Sequence, residues 1–290
     1  MELRLFKTLW GHTRSLDEAI AAARADGLHG LEGHAPASRE QRDIFRAKLA
    51  EAGLEYIAEI CAAGSYVPER RASPAEHLES FRRQAEAALE CAPRFLTVIA
   101  GCDAWPFARS AEFFAGAIEI ARTLGVVASF ETHRSRSMFN PWVTRDLLHE
   151  LPALRLTCDF SHWCCVCERL IDTEPEVLAL CAERAHHIHA RVGYDQGPQV
   201  PHPAAPEYRA ALEAHERWWR QIWRAQFARG ETVSTMTPEF GPDGYLHEMP
   251  FSRTPVADLA EINAWMAARQ QTRFREWREA AIREEKEGLL

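Results

Sequence analysis

The sequence predicts an α/β protein of the (β/α)8 kind, a TIM barrel of eight parallel strands with a charged helical tail at its C-terminus. Two observations carry that expectation. Short apolar runs alternate with amphipathic segments eight times along the 290 residues, the pattern of a parallel sheet covered by helices. Four of these runs, the fifth to the eighth, lead into a residue able to ligate a metal: Glu131, Asp159, His189 and, through Pro238, Glu239. Strands that repeatedly deliver such a group at their C-terminal ends fit a barrel whose mouth collects them.

The first strand is read at 3–10 and is followed by a helix that Ser15 and Glu18 open as a capping box and Gly27 stops. Residues 28–31 form the second strand, which runs past Glu32 and His34 to a helix opened by Ser38 and Gln41 and closed by Gly53. The third strand is 54–60. Ser73, Pro74 and Glu76 then supply an N-cap, a first-turn proline and an N3 carboxylate. After a fourth strand at 95–100, Ser110 starts a helix whose Phe113, Phe114, Ala117, Ile118 and Ala121 lie on one stripe, ended by Gly125. Strands five to eight are 126–130, 154–158, 185–188 and 232–237.

Between the last two strands, 194–208 carries Pro198, Pro201, Pro203 and Pro206, which reads as an ordered loop or lid closing over the mouth. A helix rich in tryptophan (Trp218, Trp219, Trp223) follows. Thr254 and Pro255 open the final helix, with Leu259, Ile262, Trp265 and Met266, and from Arg273 to Glu287 the chain is a charged helical tail, a solvated face or a dimer contact that would make a homo-oligomer. One domain, 1–290, with 273–290 as its tail, is the expected organisation.

Composition narrows the class. No apolar stretch has the length of a membrane span, and Met1-Glu2-Leu3-Arg4 does not begin a signal peptide, so a cytoplasmic protein without membrane partners is expected. The eight cysteines, four of them between 158 and 167, read as reduced thiols. A net charge of −8 disfavours nucleic acid as a partner.

Several residues near the strand ends could carry chemistry. Glu131 follows an apolar strand, where a carboxylate is costly without a partner. Asp159 and His162 stand in a D-x-x-H turn, with Asp159 an oxygen ligand and His162 a second ligand or a donor to a substrate oxygen. His187, His189 and Arg191 share one face of their strand. Arg134, Arg136 and Arg191 could hold a phosphate or carboxylate, with structural ion pairs as their ordinary role. Trp10, Trp105 and Trp163 could stack on a sugar's apolar face or simply pack the rim. His12, His34 and His202 bind substrate or line the rim, and a second metal ion is the alternative. Cys164, Cys165 and Cys167 lack a matching partner pair and read as packing.

With these residues in place, the chain resembles the xylose isomerase-like TIM-barrel superfamily, which includes sugar isomerases, ketose 3-epimerases and endonuclease IV-type enzymes. The resemblance implies one divalent ion held by Glu131, Asp159, His189 and Glu239, with Glu131 and Glu239 also the catalytic acid and base groups. His162 then corresponds to the D-x-x-H histidine that contacts substrate in the epimerases and binds a further zinc in the nuclease branch. Substrate contacts are expected from His162, Arg191, His133, His202 and Trp10. One departure bears on the pocket: the epimerases usually carry another glutamate six residues after the first ligand, where this chain has Ser137.

The implied reaction is a divalent-metal-dependent isomerisation or epimerisation of a sugar, sugar acid or related polyol through a metal-stabilised enediolate. Manganese is the expected ion, with magnesium, cobalt, zinc and iron as alternatives. A lyase or dehydratase on a similar small carbohydrate-like substrate is the nearest rival. An endonuclease IV-like hydrolase and a non-catalytic sugar-binding barrel stand behind it.

Overall fold

A computed structural model of the chain describes residues 1–242 and 244–286. Its eight strands are β1 (Glu2–Thr8), β2 (Gly30–His34), β3 (Glu55–Cys61), β4 (Leu96–Ile99), β5 (Ala128–Glu131), β6 (Leu156–Cys158), β7 (Ala185–His189) and β8 (Val233–Thr237). Every neighbouring pair is parallel, and β1 pairs with β8 to close the barrel. The helices are α1 (Leu16–Ala25), α2 (Arg39–Ala52), α3 (Pro74–Leu89), α4 (Phe107–Leu124), α5 (Pro141–Glu150), α6 (Ser161–Val166), α7 (Pro175–Arg184), α8 (Arg209–Ala228) and α9 (Leu259–Lys286). No helix among the described residues is long and apolar enough to cross a membrane.

Local chemistry explains most boundaries. The boxes at Ser15, Ser38 and Ser73 all form, and Gly53 and Gly125 end their helices in the left-handed conformation that glycine adopts at little cost. Two expected starts move. Helix α4 begins at Phe107 after Pro106, and Ser110 is buried inside it with its hydroxyl 2.8 Å from that of Ser137. Helix α9 begins at Leu259, because Asp258, and not Thr254, accepts the Glu261 N–H at 2.9 Å. Strand β2 also starts later and runs farther, so Glu32 lies within it.

Side chains alternate across the barrel wall. On β5, Phe130 points outward to Phe81 and Phe114, while Ser129 and Glu131 point inward. Phe6, Ile57 and Phe95 make a small inner cluster separate from the main core. Above it the hydroxyls of Ser129, Thr97 and Thr157 meet, and the carboxylates and imidazoles lie toward the mouth.

The charged tail is the second half of α9. Its Phe274, Trp277 and Ala281 are buried, and Trp277 packs on Trp223 and Phe227 of α8. Only one side of this stretch faces solvent, since its apolar residues recur at helical spacing between the charges. Residues 287–290 of the expected tail lie outside the described residues.

Candidate metal centre

The carboxylates of Glu131, Asp159 and Glu239 and the imidazole of His189 converge at the C-terminal ends of β5, β6, β8 and β7, with one ligand atom from each within 4.8 Å of the others. All four residues are buried. The turn after β6 is built to aim Asp159: the Thr132 hydroxyl donates to its carbonyl and accepts its N–H, both at 2.8 Å, and the Ser161 N–H and hydroxyl donate to Oδ1 at 2.9 and 2.5 Å. Glu239 is held through its backbone. Asn263 of α9 bonds both polar groups of Phe240, and the Gln199 amide bonds both those of Gly241.

The two nitrogens of His189 face different surroundings. Nε2 lies 3.1 Å from Oε1 of Glu32, while Nδ1 faces Glu131 Oε1 at 3.3 Å and Glu239 Oε2 at 3.0 Å without a hydrogen bond. Oε2 of Glu131 is also buried without a partner. Acceptor atoms brought together in this way repel one another unless a cation or proton lies among them. The protonation of the site expresses the same demand: burial pushes the Glu131 carboxyl up to about 8 and raises Asp159 as well. For His189 burial opposes protonation, but Glu239, Glu32 and Glu131 outweigh it and raise the imidazole well above its ordinary value. Three oxygen donors and one imidazole form a donor set that suits a divalent ion such as manganese, iron or zinc.

A second group leans on the first. Arg191 donates to Asp159 and to the Ser161 hydroxyl, and its Nη2 lies 2.7 Å from Nε2 of His162. The guanidinium is therefore occupied by the protein's own acceptors, an internal ion pair in which burial lowers its proton affinity and Asp159 more than restores it. The His133 and His162 rings lie 4.0 Å apart, and burial drives both well below the ordinary histidine value, so both are neutral. Over them lies a half-buried aromatic cover. Tyr245 and Trp10 pack edge to face at 4.7 Å and stand 4.7 and 5.4 Å from the Arg191 guanidinium, and Tyr66 packs on Trp10 at 5.4 Å.

The cover comes from the loops after β1, β3 and β8, and not from the proline-rich segment after β7. That segment braces the β8 loop through Gln199, and His202 packs on Trp265 of α9 at 6.2 Å, outside every metal-ligating cluster of the described residues. Prolines stiffen the segment into a brace because its one buried amide side chain satisfies the Gly241 backbone. His12 bonds the Ser15 carbonyl, and His34 the Glu59 carbonyl. Arg136 is spent on the carbonyls of Ala62, Ser65, Tyr66 and Gly101, and Ser137 bonds Ser110 and the Cys102 N–H. That position is thus structural here. Cys164 is packed beside His215, and Cys165 donates to the His162 carbonyl.

Sequence reasoning placed Glu32 near the end of the second strand without assigning it to the site, and it did not single out Glu59 within the third. Both point into the barrel, Glu32 against His187 and His189 and Glu59 toward His34. Only the inward phase of β2 and β3 signals them, and a carboxylate at such a phase is the cue.

The sequence profile of the xylose isomerase-like TIM barrel matches residues 20–195. The chain belongs to this family. No curated protein sequence matches it. Solved structures that resemble this xylose isomerase-like barrel include an L-ribulose 3-epimerase, at 14% identity and TM-score 0.65, covering 97% of each chain. The probable 3-DHS dehydratase AsbF of Bacillus anthracis, involved in petrobactin synthesis, has 13% identity and TM-score 0.58 over 91% of this chain and 97% of that one. Endonuclease IV from Thermus thermophilus has 16% identity and TM-score 0.57 over 97% of this chain and 100% of that one. At such identities these likenesses establish a shared fold.

Proposed function

We propose that this xylose isomerase-like barrel is a divalent-metal-dependent enzyme that isomerises or epimerises a sugar, sugar acid or related polyol. The observation that carries the reading is the convergence of Glu131, Asp159, His189 and Glu239 beneath an aromatic cover, with Glu131 Oε2 and His189 Nδ1 left unpartnered. A divalent ion held by these four residues, manganese in the first instance, would stabilise the negative charge that develops on a hydroxy-carbonyl substrate when its neighbouring C–H is deprotonated. Glu131 and Glu239 come from different strands, so one carboxylate removes the proton and the other returns it. His162, neutral and fixed by Arg191, presents its imidazole to substrate, and His133 packs tilted beside it. Trp10, Tyr66 and Tyr245 supply apolar faces for the C–H side of a sugar and exclude water from the deprotonated substrate.

Incubation with a panel of sugars and sugar acids in deuterium oxide, with Mn2+ supplied, tests the reading. Deuterium entering at a carbon next to a carbonyl, together with an isomeric product, is the expected result. A second reading, a lyase or dehydratase, is favoured by Glu59. Burial pushes its buried carboxyl up to about 7, and Glu239 adds to the shift, so it can stay protonated and donate to a departing hydroxyl. Loss of water without a recoverable isomer would support that reaction in place of isomerisation.

A further inference from the structure

Beneath the four converging ligands lies a second buried layer that the proposed chemistry does not use. Glu32 on β2 is 1% exposed, and its two carboxylate oxygens divide between two imidazoles from β7: Oε1 lies 3.1 Å from His189 Nε2, and Oε2 lies 3.1 Å from His187 Nε2. His187 is fixed in turn, with Nδ1 2.8 Å from the Thr235 hydroxyl and Nε2 3.2 Å from that of Thr237. A carboxylate only accepts, so each Nε2 facing it must carry the proton. On His189 that leaves Nδ1, the nitrogen aimed at Glu131 and Glu239, to bind a cation through its lone pair.

We infer that Glu32 is a positioning residue for the metal: it fixes the proton of His189 on Nε2 and aims Nδ1 into the cluster, and His187 with Thr235 and Thr237 holds Glu32 in place. The inference rests on the metal-centre reading above and adds to it a carboxylate from the far side of the barrel. Glu32 is not a ligand in this arrangement, because the imidazole of His189 stands between it and Glu131 and Glu239. A carboxylate behind a ligating histidine raises the ring's basicity and restricts its rotation, and removing such a partner costs about 10- to 100-fold in metal affinity.

The test needs no substrate. The dissociation constants of Mn2+ and Zn2+ are measured by chelator competition for wild-type protein and for Glu32→Gln, each checked for native circular dichroism. An amide keeps the shape but cannot accept from both N–H groups, so binding weakened by about 10- to 100-fold in a folded variant is expected. Equal affinities would overturn the role of Glu32 while leaving the metal centre standing. Wild-type protein that binds neither ion would overturn the metal reading and this inference with it. A second measurement needs no Glu32 variant: in Zn2+-loaded protein with 15N-labelled histidine, the His189 ring, identified by its loss in His189→Gln, is expected to carry its proton on Nε2 and the ion on Nδ1. The opposite assignment would overturn the inference even if Glu32→Gln did not fold.

Discussion

Nδ1 of His189 faces Oε2 of Glu239 across 3.0 Å, and no hydrogen bond satisfies that nitrogen. The two atoms are brought together from β7 and the loop after β8 by rigid elements, since Ala190 N–H bonds the Thr237 carbonyl at 2.7 Å and the Gln199 and Asn263 amides clamp the chain beyond Glu239.

Glu239→Gln removes one of the three anionic donors while keeping the side chain's size. Protein prepared without chelators is expected to bind Mn2+ or Zn2+ at least about tenfold more weakly than wild type. Metal content measured by mass spectrometry and unchanged in the variant would place the ion elsewhere.

Gly241 lies against the indole of Trp10, and a Cβ there would fall within the ring's van der Waals envelope. Trp10 has little room to retreat, because Tyr245 and Tyr66 hold it from two sides. Gly241→Ala is therefore expected to destabilise the protein by about 1–3 kcal/mol through overpacking. A thermal midpoint equal to that of wild type would mean that the cover is loose.

Trp277 on the outer part of α9 is 7% exposed and packs on Trp223, Phe227 and Phe274. Trp277→Ala should cost about 3–5 kcal/mol, the usual loss for truncating a buried large aromatic. Urea unfolding measures it, and a change within about 0.5 kcal/mol would match a solvated tail instead.

His215 is fully buried, with Nδ1 donating to the Ala211 carbonyl at 2.9 Å and Nε2 accepting the Gly193 N–H at 3.3 Å. Burial lowers its pKa from 6.5 to about 4. The unfolded chain therefore binds a proton that the folded chain refuses, so this contribution to stability is complete above pH 6.5 and is lost as pH falls toward 4. The loss amounts to about 3 kcal/mol for this one group. The urea midpoint of wild type should fall through that window more steeply than that of His215→Gln, and parallel profiles would refute the assignment.

Much of this protein is legible in the chain. The serine boxes, the stop glycines and the eightfold alternation are short-range signals, read within a few residues, and they determined the barrel. The positions of Glu131, Asp159, His189 and Glu239 at strand ends are legible for the same reason, because strand phase and strand order put them at one mouth. Tertiary structure decided the rest. Glu32 meets His187 and His189 across more than 150 residues of sequence, a pairing that no local pattern encodes. The length and stiffness of the proline-rich segment point to it as the cover, but Gln199 turned that segment into a brace, and Tyr245, Trp10 and Tyr66 from three separate loops took its place. The charge of the tail after Arg273 suggests a solvated face, yet its apolar residues found α8. Local pattern fixes which way a side chain points, whereas what it meets depends on closing the barrel, which brings β1 beside β8 and loops distant in sequence over one mouth.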